Sequence, residues 1–144
     1  MEKVLLIEDD PIAVMLCKKV IEKSGWKSEV DTVSHGGEAI TYYEELIGKS
    51  GEENLQQYPR LILLDLNMPV VGGWEFLDEF ILNFYPICSE TKVVILSSSI
   101  VPEDQIKAGQ YSLVLDFLSK PIGIKDLEKI SKLFDNHEAN KDSQ

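Results

Sequence analysis

Carboxylate side chains follow two of the apolar runs in this sequence. Glu8 and Asp9 come directly after the run 4–7, and Asp65 comes directly after the run 61–64. Carboxylates held within a few ångströms of one another repel, so that one pKa rises or a cation binds between them. Mg²⁺ suits a site with a few carboxylates and retained waters. If the fold brings these residues together, they predict a magnesium site.

A hydroxyl group and an ammonium group follow two other apolar runs. Ser97 comes directly after the run 93–96, and Lys120 comes shortly after the run 113–118. A lysine ammonium is a compact positive charge on a flexible stem, which can shift toward an arriving phosphoryl group. A carboxylate nucleophile, a divalent cation, a lysine and a hydroxyl are the components of phosphoryl transfer onto an aspartate.

Five short apolar runs predict the strands that must position these groups. They span residues 4–7, 29–33, 61–64, 93–96 and 113–118. Short continuous apolar runs are typical of strands that are buried on both faces of a parallel sheet. The run 29–33 alternates instead, which indicates an edge strand.

Apolar stripes at helical spacing fill the gaps between these runs. Asp10 and Pro11 predict the start of the first helix, as an N-cap acceptor and a proline at the first helical position, and Gly25 predicts its end. Four further stripes begin near Ala39, Gly73, Pro102 and Ile124. The alternation predicts an α/β fold of (βα)5 type with a doubly wound parallel sheet, in which residues 49–58 form a loop and the polar tail frays.

The order of the strands decides whether the chemical groups meet. In a flavodoxin-like sheet of order 2-1-3-4-5, strands 1 and 3 are neighbours, and ligands bind outside the carboxyl ends of the strands where the order reverses. That order brings Glu8, Asp9 and Asp65 to one place, with Ser97 and Lys120 beside them.

Length and charge narrow the possible functions. The chain has 144 residues, and 14 basic against 25 acidic side chains give a formal net charge of −11. We therefore expect one domain over residues 1–136, with a polar tail over 137–144, and binding to neither nucleic acid nor an anionic membrane. Cys17 and Cys88 have no metal-binding or redox spacing, and Cys17 lies in an apolar stripe. Since no signal peptide or membrane span is recognisable, we expect a cytoplasmic protein.

Four motifs in order resemble the receiver domains of two-component response regulators. They are LLIEDDP at 5–11, LILLDLNMPVVGGWEFL at 61–77, VVILSSS at 93–99 and DFLSKP at 116–121. The resemblance covers residues 3–134. It implies that Asp65 is the phospho-acceptor. It also implies that Asp9 and Asp65 bind Mg²⁺ directly, with the backbone carbonyl of Asn67 as a further ligand, and that Glu8 contacts the ion through a water molecule. Mn²⁺ is expected to substitute for Mg²⁺.

The resemblance also implies the residues of the switch. Lys120 would pair with the phosphoryl oxygens, and the Lys120–Pro121 bond would be cis. Ser97 would be the switch hydroxyl, and Phe117 the aromatic residue whose rotamer follows the switch. Three consecutive serines leave the choice between Ser97 and Ser98 to one step of register.

The same resemblance implies a stand-alone receiver that is a switch and not a turnover enzyme. Its phosphoryl donor would be a sensor histidine kinase or a phosphotransfer protein, because the sequence has no GxxxxGK[ST] nucleotide motif. Its output would go through a downstream protein target, and it would be a monomer or a weak homodimer. The long 49–58 segment and the serine-rich end of strand 4 are similar to single-domain receivers served by phytochrome-type kinases.

Two other functions stay open at this point. A receiver-like binding module that works without phosphorylation would keep the fold, but clustered repulsive carboxylates give such a scaffold no advantage. A Mg²⁺-dependent phosphatase with an aspartyl-phosphate intermediate generally has a second acid two residues after the nucleophile, where this sequence has Asn67.

Overall fold

The computed structural model describes residues 3–50, 58–67 and 71–142. In these ranges five strands alternate with five helices. They are β1 Lys3–Ile7, α1 Pro11–Lys23, β2 Glu29–Val33, α2 Gly36–Ser50, β3 Leu61–Asp65, α3 Gly73–Asn83, β4 Lys92–Ser97, α4 Pro102–Ala108, β5 Val114–Ser119 and α5 Ile124–Asp142.

The strands form one parallel sheet in the order β2-β1-β3-β4-β5. This order confirms the predicted (βα)5 doubly wound fold, and it confirms β2 as an edge strand. In the register between β1 and β3, Ile7 lies opposite Leu64. The residues that follow these two positions therefore leave the sheet side by side at its carboxyl edge.

Two apolar layers cover the sheet because successive side chains of a strand point to opposite faces. On one face, Leu5 and Ile7 of β1 belong to a buried cluster that includes residues of α2, α3 and α4. On the other face, Val4 and Leu6 of β1 belong to a second cluster, with residues of α1 and α5. The continuous apolar runs of the sequence are explained by this burial on both sides.

Aromatic rings fix α3 against α2. The ring of Phe80 lies 5.0 Å from that of Tyr43, and the ring of Tyr43 lies 5.4 Å from that of Phe84. Phe76 and Phe80 are fully buried, as the apolar stripe of this segment predicts. The start of α3, which follows the loop after Asp65, is thereby held in place.

The ends of the helices agree only in part with the sequence patterns. Asp10 caps α1, since its Oδ1 accepts a hydrogen bond from the Ile12 amide at 3.0 Å, and Gly25 beyond the other end has a φ of 84°. α2 continues to Ser50 and α5 to Asp142, although we expected a loop from residue 49 and a fraying tail. Neither extension contains a proline to interrupt the helix. Residues 51–57 of the expected loop lie outside the described residues. No helix in the described ranges combines the length and apolar character needed to cross a bilayer.

Both cysteines are free and buried. Burial raises the pKa of the Cys17 thiol to about 12, with the charge of Glu8 adding to the effect, and burial alone raises the pKa of Cys88 to about 12. Thiols with such pKa values are inert at neutral pH. Cys17 is therefore a small core residue, as its place in the apolar stripe predicts.

Candidate functional site

Three carboxylates meet at the carboxyl edge of the sheet. Glu8 and Asp9 follow β1, and Asp65 is the last residue of β3, the neighbouring strand. One oxygen from each of them lies within 4.8 Å of the other two. Glu8 is 3% exposed and Asp65 2% exposed, whereas Asp9 is exposed at the rim. The cluster is thus a partly buried acidic pocket that is open to solvent on the side of Asp9.

The side chain of Lys120, which directly follows the edge strand β5, reaches this pocket along the carboxyl edge of the sheet. Its Nζ donates a hydrogen bond to Glu8 Oε1 at 2.7 Å and lies 3.4 Å from Asp65 Oδ1. Its backbone amide donates to the carbonyl of Ser97 at 2.9 Å, which fixes the chain as it leaves β5. The Lys120–Pro121 peptide bond is cis, as the family resemblance implies.

Burial changes the ionisation of these groups. Burial first, and then the Asp65 side chain beside it, raise the pKa of Glu8 to about 8, although Lys120 acts in the opposite direction. Burial lowers the pKa of Lys120, but the hydrogen bond to Glu8 and the charges of Asp65 and Glu8 outweigh it, so that the pKa of Lys120 is raised. Without a metal, burial thus favours the neutral form of Glu8, whereas the acidic neighbours of Lys120 favour its charged form.

The donor set of the pocket fits a hard divalent cation. Glu8 Oε2 is buried and has no hydrogen-bond partner among the described residues. A buried oxygen of this kind is normally satisfied by a protein group, a water or an ion. Mg²⁺ and Mn²⁺ prefer carboxylate, carbonyl and water oxygens. An ion bound here, with its waters, would satisfy this oxygen and offset the repulsion between the three carboxylates.

The residue two positions after Asp65 orients that side chain. The backbone amide of Asn67 donates to Asp65 Oδ1 at 3.1 Å. Asn67 thus lies beside the acidic pocket, where the resemblance expects its carbonyl to act as a ligand. Residues 68–70 of this loop lie outside the described residues.

The first two of the three consecutive serines at the end of β4 have different surroundings. Ser97 is buried, and it lies at the end of the strand next to β3. Its hydroxyl donates to the carbonyl of Ser99 at 2.7 Å and accepts from the Ser99 amide at 3.3 Å. Ser98 is exposed and lines the same cavity as Glu8 and Lys120. In this conformation the hydroxyl of Ser97 is therefore engaged with its own turn.

Phe117, the other expected switch residue, lies in the middle of β5. It is partly buried and packs against the cluster that contains residues of α2, α3 and α4. It lies opposite Ile95 of β4 in the ladder, two residues before Ser97. The structure places it next to the strand of Ser97 and outside the acidic pocket.

An apolar cavity adjoins the acidic pocket, and its presence was not expected from the residue pattern. Its volume is about 320 Å³, and Leu16 and Ile122 line it together with Glu8 and Lys120. Ile12 and Leu16, on the α1 side of this cavity, are 63% and 44% exposed. The signal for this cavity in the sequence is the apolar character of these two residues. Leu16 belongs to the predicted apolar stripe of α1 but is exposed, and Ile12 lies outside that stripe.

Comparison with known proteins identifies one family. The family model of the response regulator receiver domain matches residues 4–132 of this chain. Response regulator Rcp1 from Synechocystis sp. is 32% identical over 88% of this chain and 82% of its own length. Its Mn²⁺-bound crystal structure superposes with a TM-score of 0.67 at 31% identity, over 90% of this chain and 88% of that one.

Other solved structures extend the likeness. A two-component response regulator from Cytophaga hutchinsonii has a TM-score of 0.83 at 33% identity, over 94% of this chain and 98% of that chain. The phosphorylated cyanobacterial phytochrome response regulator RcpA has a TM-score of 0.65 at 35% identity, over 90% of this chain and 87% of that chain.

Proposed function

The chain belongs to the response regulator receiver domain family of two-component signalling, and on this premise we propose that it is a stand-alone receiver whose phospho-acceptor is Asp65. Receiver domains are signalling switches and not turnover enzymes. The observation that carries the proposal is the convergence of three carboxylates within 4.8 Å, with the Lys120 ammonium 3.4 Å from Asp65. A likeness that covers 82% of the length of response regulator Rcp1 supports the stand-alone form.

Receiver domains bind a divalent metal at an acidic pocket, and the donor set of this chain fits such an ion. In this proposal Asp9 and Asp65 hold Mg²⁺ directly, the Asn67 carbonyl is a further ligand, and Glu8 acts through water. Mn²⁺ substitutes for Mg²⁺, and a Mn²⁺-bound relative supports this choice. When bound, the ion supplies positive charge that offsets the carboxylate repulsion and the charge that develops on the phosphoryl oxygens.

Asp65 is the nucleophile of the proposed transfer. One of its carboxylate oxygens attacks phosphorus, a new P–O bond forms, and the bond from phosphorus to the donor's imidazole nitrogen breaks. The electron pair of that bond leaves with the imidazole. Lys120 already lies close to Asp65 Oδ1, so its ammonium stabilises the phosphoryl oxygens with little movement.

The product changes the balance of hydrogen bonds at the end of β4. The new dianion competes with the Ser99 carbonyl for the hydroxyl of Ser97, which now donates at 2.7 Å to that carbonyl. If Ser97 turns to the phosphoryl group, Phe117 changes its packing, and the surface of α4, β5 and α5 shifts between two states. A downstream protein target would bind this surface in one of its two states.

The proposed donor is a sensor histidine kinase or a phosphotransfer protein. A phytochrome-type kinase is the first donor to test, because RcpA is named as a cyanobacterial phytochrome response regulator and resembles this chain at 35% identity. We propose that the receiver acts as a monomer or a weak homodimer.

Intact-mass measurement after incubation with acetyl phosphate tests the proposal. We expect the mass of one phosphoryl group to be added in Mg²⁺ and not in EDTA. Asp65→Asn should lose the gain. Asp10→Asn is the matched control, because asparagine is an equally good helix cap and Asp10 caps α1 at the rim of the pocket. It should retain the gain.

An equal gain in Asp65→Asn would reject the proposal. If the wild-type protein shows no gain, a phosphorylated kinase replaces acetyl phosphate as the donor. Failure with kinases of the phytochrome type and of other types, in a protein that binds Mg²⁺, would instead support a binding module that works without phosphorylation.

A further inference from the structure

We propose that Gly36 is a positioning residue for the chain at Val71, which leads into α3 beside Asp65, because only a glycine at the start of α2 lets the backbone of Val71 pass. The inference rests on the proposed function, since it concerns the contacts that orient Asp65 and Asn67. Gly36 is buried, and Val71 lies near the end of the loop that joins Asp65 to α3, two residues before α3.

The space at Gly36 is closed by the loop. A Cβ atom built on Gly36 would lie 2.6 Å from Val71 Cγ1 and 2.7 Å from the Val71 carbonyl oxygen. Real Cβ atoms essentially never approach another heavy atom within 3.0 Å. The valine side chain could rotate away, but the carbonyl oxygen belongs to the backbone. A side chain at position 36 therefore requires the chain at Val71 to move.

The buried parts of the two helices beside this contact cannot absorb the movement. In α2, Ala39 and Tyr43 are fully buried in the core, one and two turns after Gly36. In α3, Phe76 and Leu77 are also fully buried. Close-packed interiors of this kind transmit a displacement and do not yield to it. The chain from Val71 to Gly73, at the very start of α3, is consequently the part that shifts.

The shift reaches the acceptor because the two ends of the loop touch. A Cβ on Gly73 would lie 3.0 Å from Leu66 Cα and 3.1 Å from the Asp65 carbonyl oxygen, and the Gly73 amide donates to the Leu66 carbonyl at 3.3 Å. The Asn67 amide in turn holds Asp65 Oδ1 at 3.1 Å. Displacing Val71 therefore disturbs the orientation of the Asp65 carboxylate and of the Asn67 backbone.

The neighbouring glycine provides a matched control. A Cβ on Gly37 would meet the ring of His35 at 3.2 Å and Val71 Cγ2 at 4.0 Å. These atoms belong to side chains, and the partly exposed ring of His35 can rotate. Gly36→Ala and Gly37→Ala lie in the same helical turn and raise intrinsic helix propensity equally. Only the first should displace the backbone at Val71.

The test compares the two variants with Mg²⁺ alone as the probe. We expect Gly36→Ala to weaken Mg²⁺ binding about tenfold, the effect of losing support around a metal ligand, and Gly37→Ala to bind as the wild type does. Hydrogen exchange without metal is a second readout, in which the Asn67 amide should exchange faster in Gly36→Ala only. Urea unfolding shows whether either variant is globally destabilised. If Gly36→Ala does not fold, the double variant Gly36→Ala with Val71→Ala, which removes the Cγ1 overlap and keeps the carbonyl contact, takes its place.

Equal Mg²⁺ affinity and equal Asn67 exchange in Gly36→Ala and Gly37→Ala would overturn the inference, even if the wild type is phosphorylated on Asp65. The proposed function fails in a different way. A wild type that binds Mg²⁺ but accepts no phosphoryl group from any donor would refute the proposed function. The difference between the two glycine variants would still support the positioning role of Gly36.

Discussion

The ammonium of Lys120 donates a hydrogen bond to Glu8 at 2.7 Å, although 112 residues separate them in the chain. The contact joins the carboxyl end of β5 to that of β1, across β3 and β4. It places a positive charge against a carboxylate whose pKa burial raises to about 8. The lysine thus occupies, in the metal-free protein, part of the electrostatic role that a divalent ion would take.

Replacing this lysine should separate metal binding from phosphoryl transfer. Lys120→Met removes a cation that competes with Mg²⁺ for the carboxylates, so Mg²⁺ should bind more tightly. It also removes a charge aimed at the phosphoryl oxygens, so phosphorylation by acetyl phosphate should slow on the order of 100-fold. Calorimetric titration and the rate of mass gain measure the two effects.

Lys129→Met is the control for this change, because Lys129 pairs with Asp116 at 2.9 Å and is largely exposed. It should leave both measurements near their wild-type values. Phosphorylation of Lys120→Met at the wild-type rate would contradict the role given to Lys120.

The raised pKa of Glu8 predicts how stability depends on pH. A carboxyl with an ordinary pKa of 4.5 and a folded-state pKa of about 8 binds a proton in the folded protein that the unfolded chain has released. The free energy of unfolding of the metal-free protein should therefore fall, through this group, as pH rises from about 4.5 to about 8. Glu8→Gln should not show this fall in the free energy of unfolding, because glutamine does not ionise.

Urea unfolding in EDTA at pH 5 and pH 8 measures the effect. The stability of Glu8→Gln relative to the wild type should be greater at pH 8 than at pH 5. A difference between the two proteins that does not change with pH would show that Glu8 ionises alike in the folded and unfolded states.

Trp74 should report events in the pocket. It is the second residue of α3, directly after Gly73, whose position is fixed against the Asp65 carbonyl. Its ring stacks on Tyr111 at 5.7 Å, and the Lys107 ammonium lies 4.8 Å from the ring centroid. If α3 shifts when Mg²⁺ binds, the distances from the indole of Trp74 to Tyr111 and Lys107 change. Because both neighbours affect the excited indole, we expect Mg²⁺ to change the fluorescence of Trp74.

The second tryptophan supplies the control for this signal. Trp26 packs against the cluster of α1 and α5 on the other face of the sheet. Trp74→Phe should abolish the response to Mg²⁺, and Trp26→Phe should keep it. A response that survives in Trp74→Phe would mean that α3 does not follow the state of the pocket.

The fold could be predicted because each buried strand is a continuous apolar run followed by polar or turn residues. Asp65 and Ser97 end β3 and β4, as expected from their place directly after the apolar runs. Lys92 begins β4 although it is charged, and it is only 7% exposed.

The site could be predicted as a set of positions but not as a geometry. Strand order alone places Glu8, Asp9 and Asp65 at one edge of the sheet, and the structure brings them together with Lys120. Their roles in catalysis stay predictions. The raised pKa of Glu8 depends on burial, and the contact between Gly36 and Val71 depends on the path of a loop, so neither follows from residue types and spacing.

The aromatic cluster that packs α3 against α2 should contribute strongly to the stability of the folded protein. Phe80 is fully buried, and its ring lies 5.0 Å from that of Tyr43 and 5.9 Å from that of Phe76. Phe80→Ala should lower the free energy of unfolding by about 3–5 kcal/mol. Leu82→Ala, on the same helix and 73% exposed, should change it by less than about 0.5 kcal/mol. Similar urea midpoints for the two variants would contradict this packing.

The most direct test of the central claim is a crystal structure with Mn²⁺ and beryllofluoride, a mimic of the phosphoryl group. Anomalous scattering should locate one Mn²⁺ bound to the carboxylates of Asp9 and Asp65. The beryllofluoride should lie on Asp65, with Lys120 and Ser97 within hydrogen-bond distance of its fluorines. A structure at saturating Mn²⁺ with no ion at these carboxylates, or with beryllofluoride on another side chain, would contradict the account.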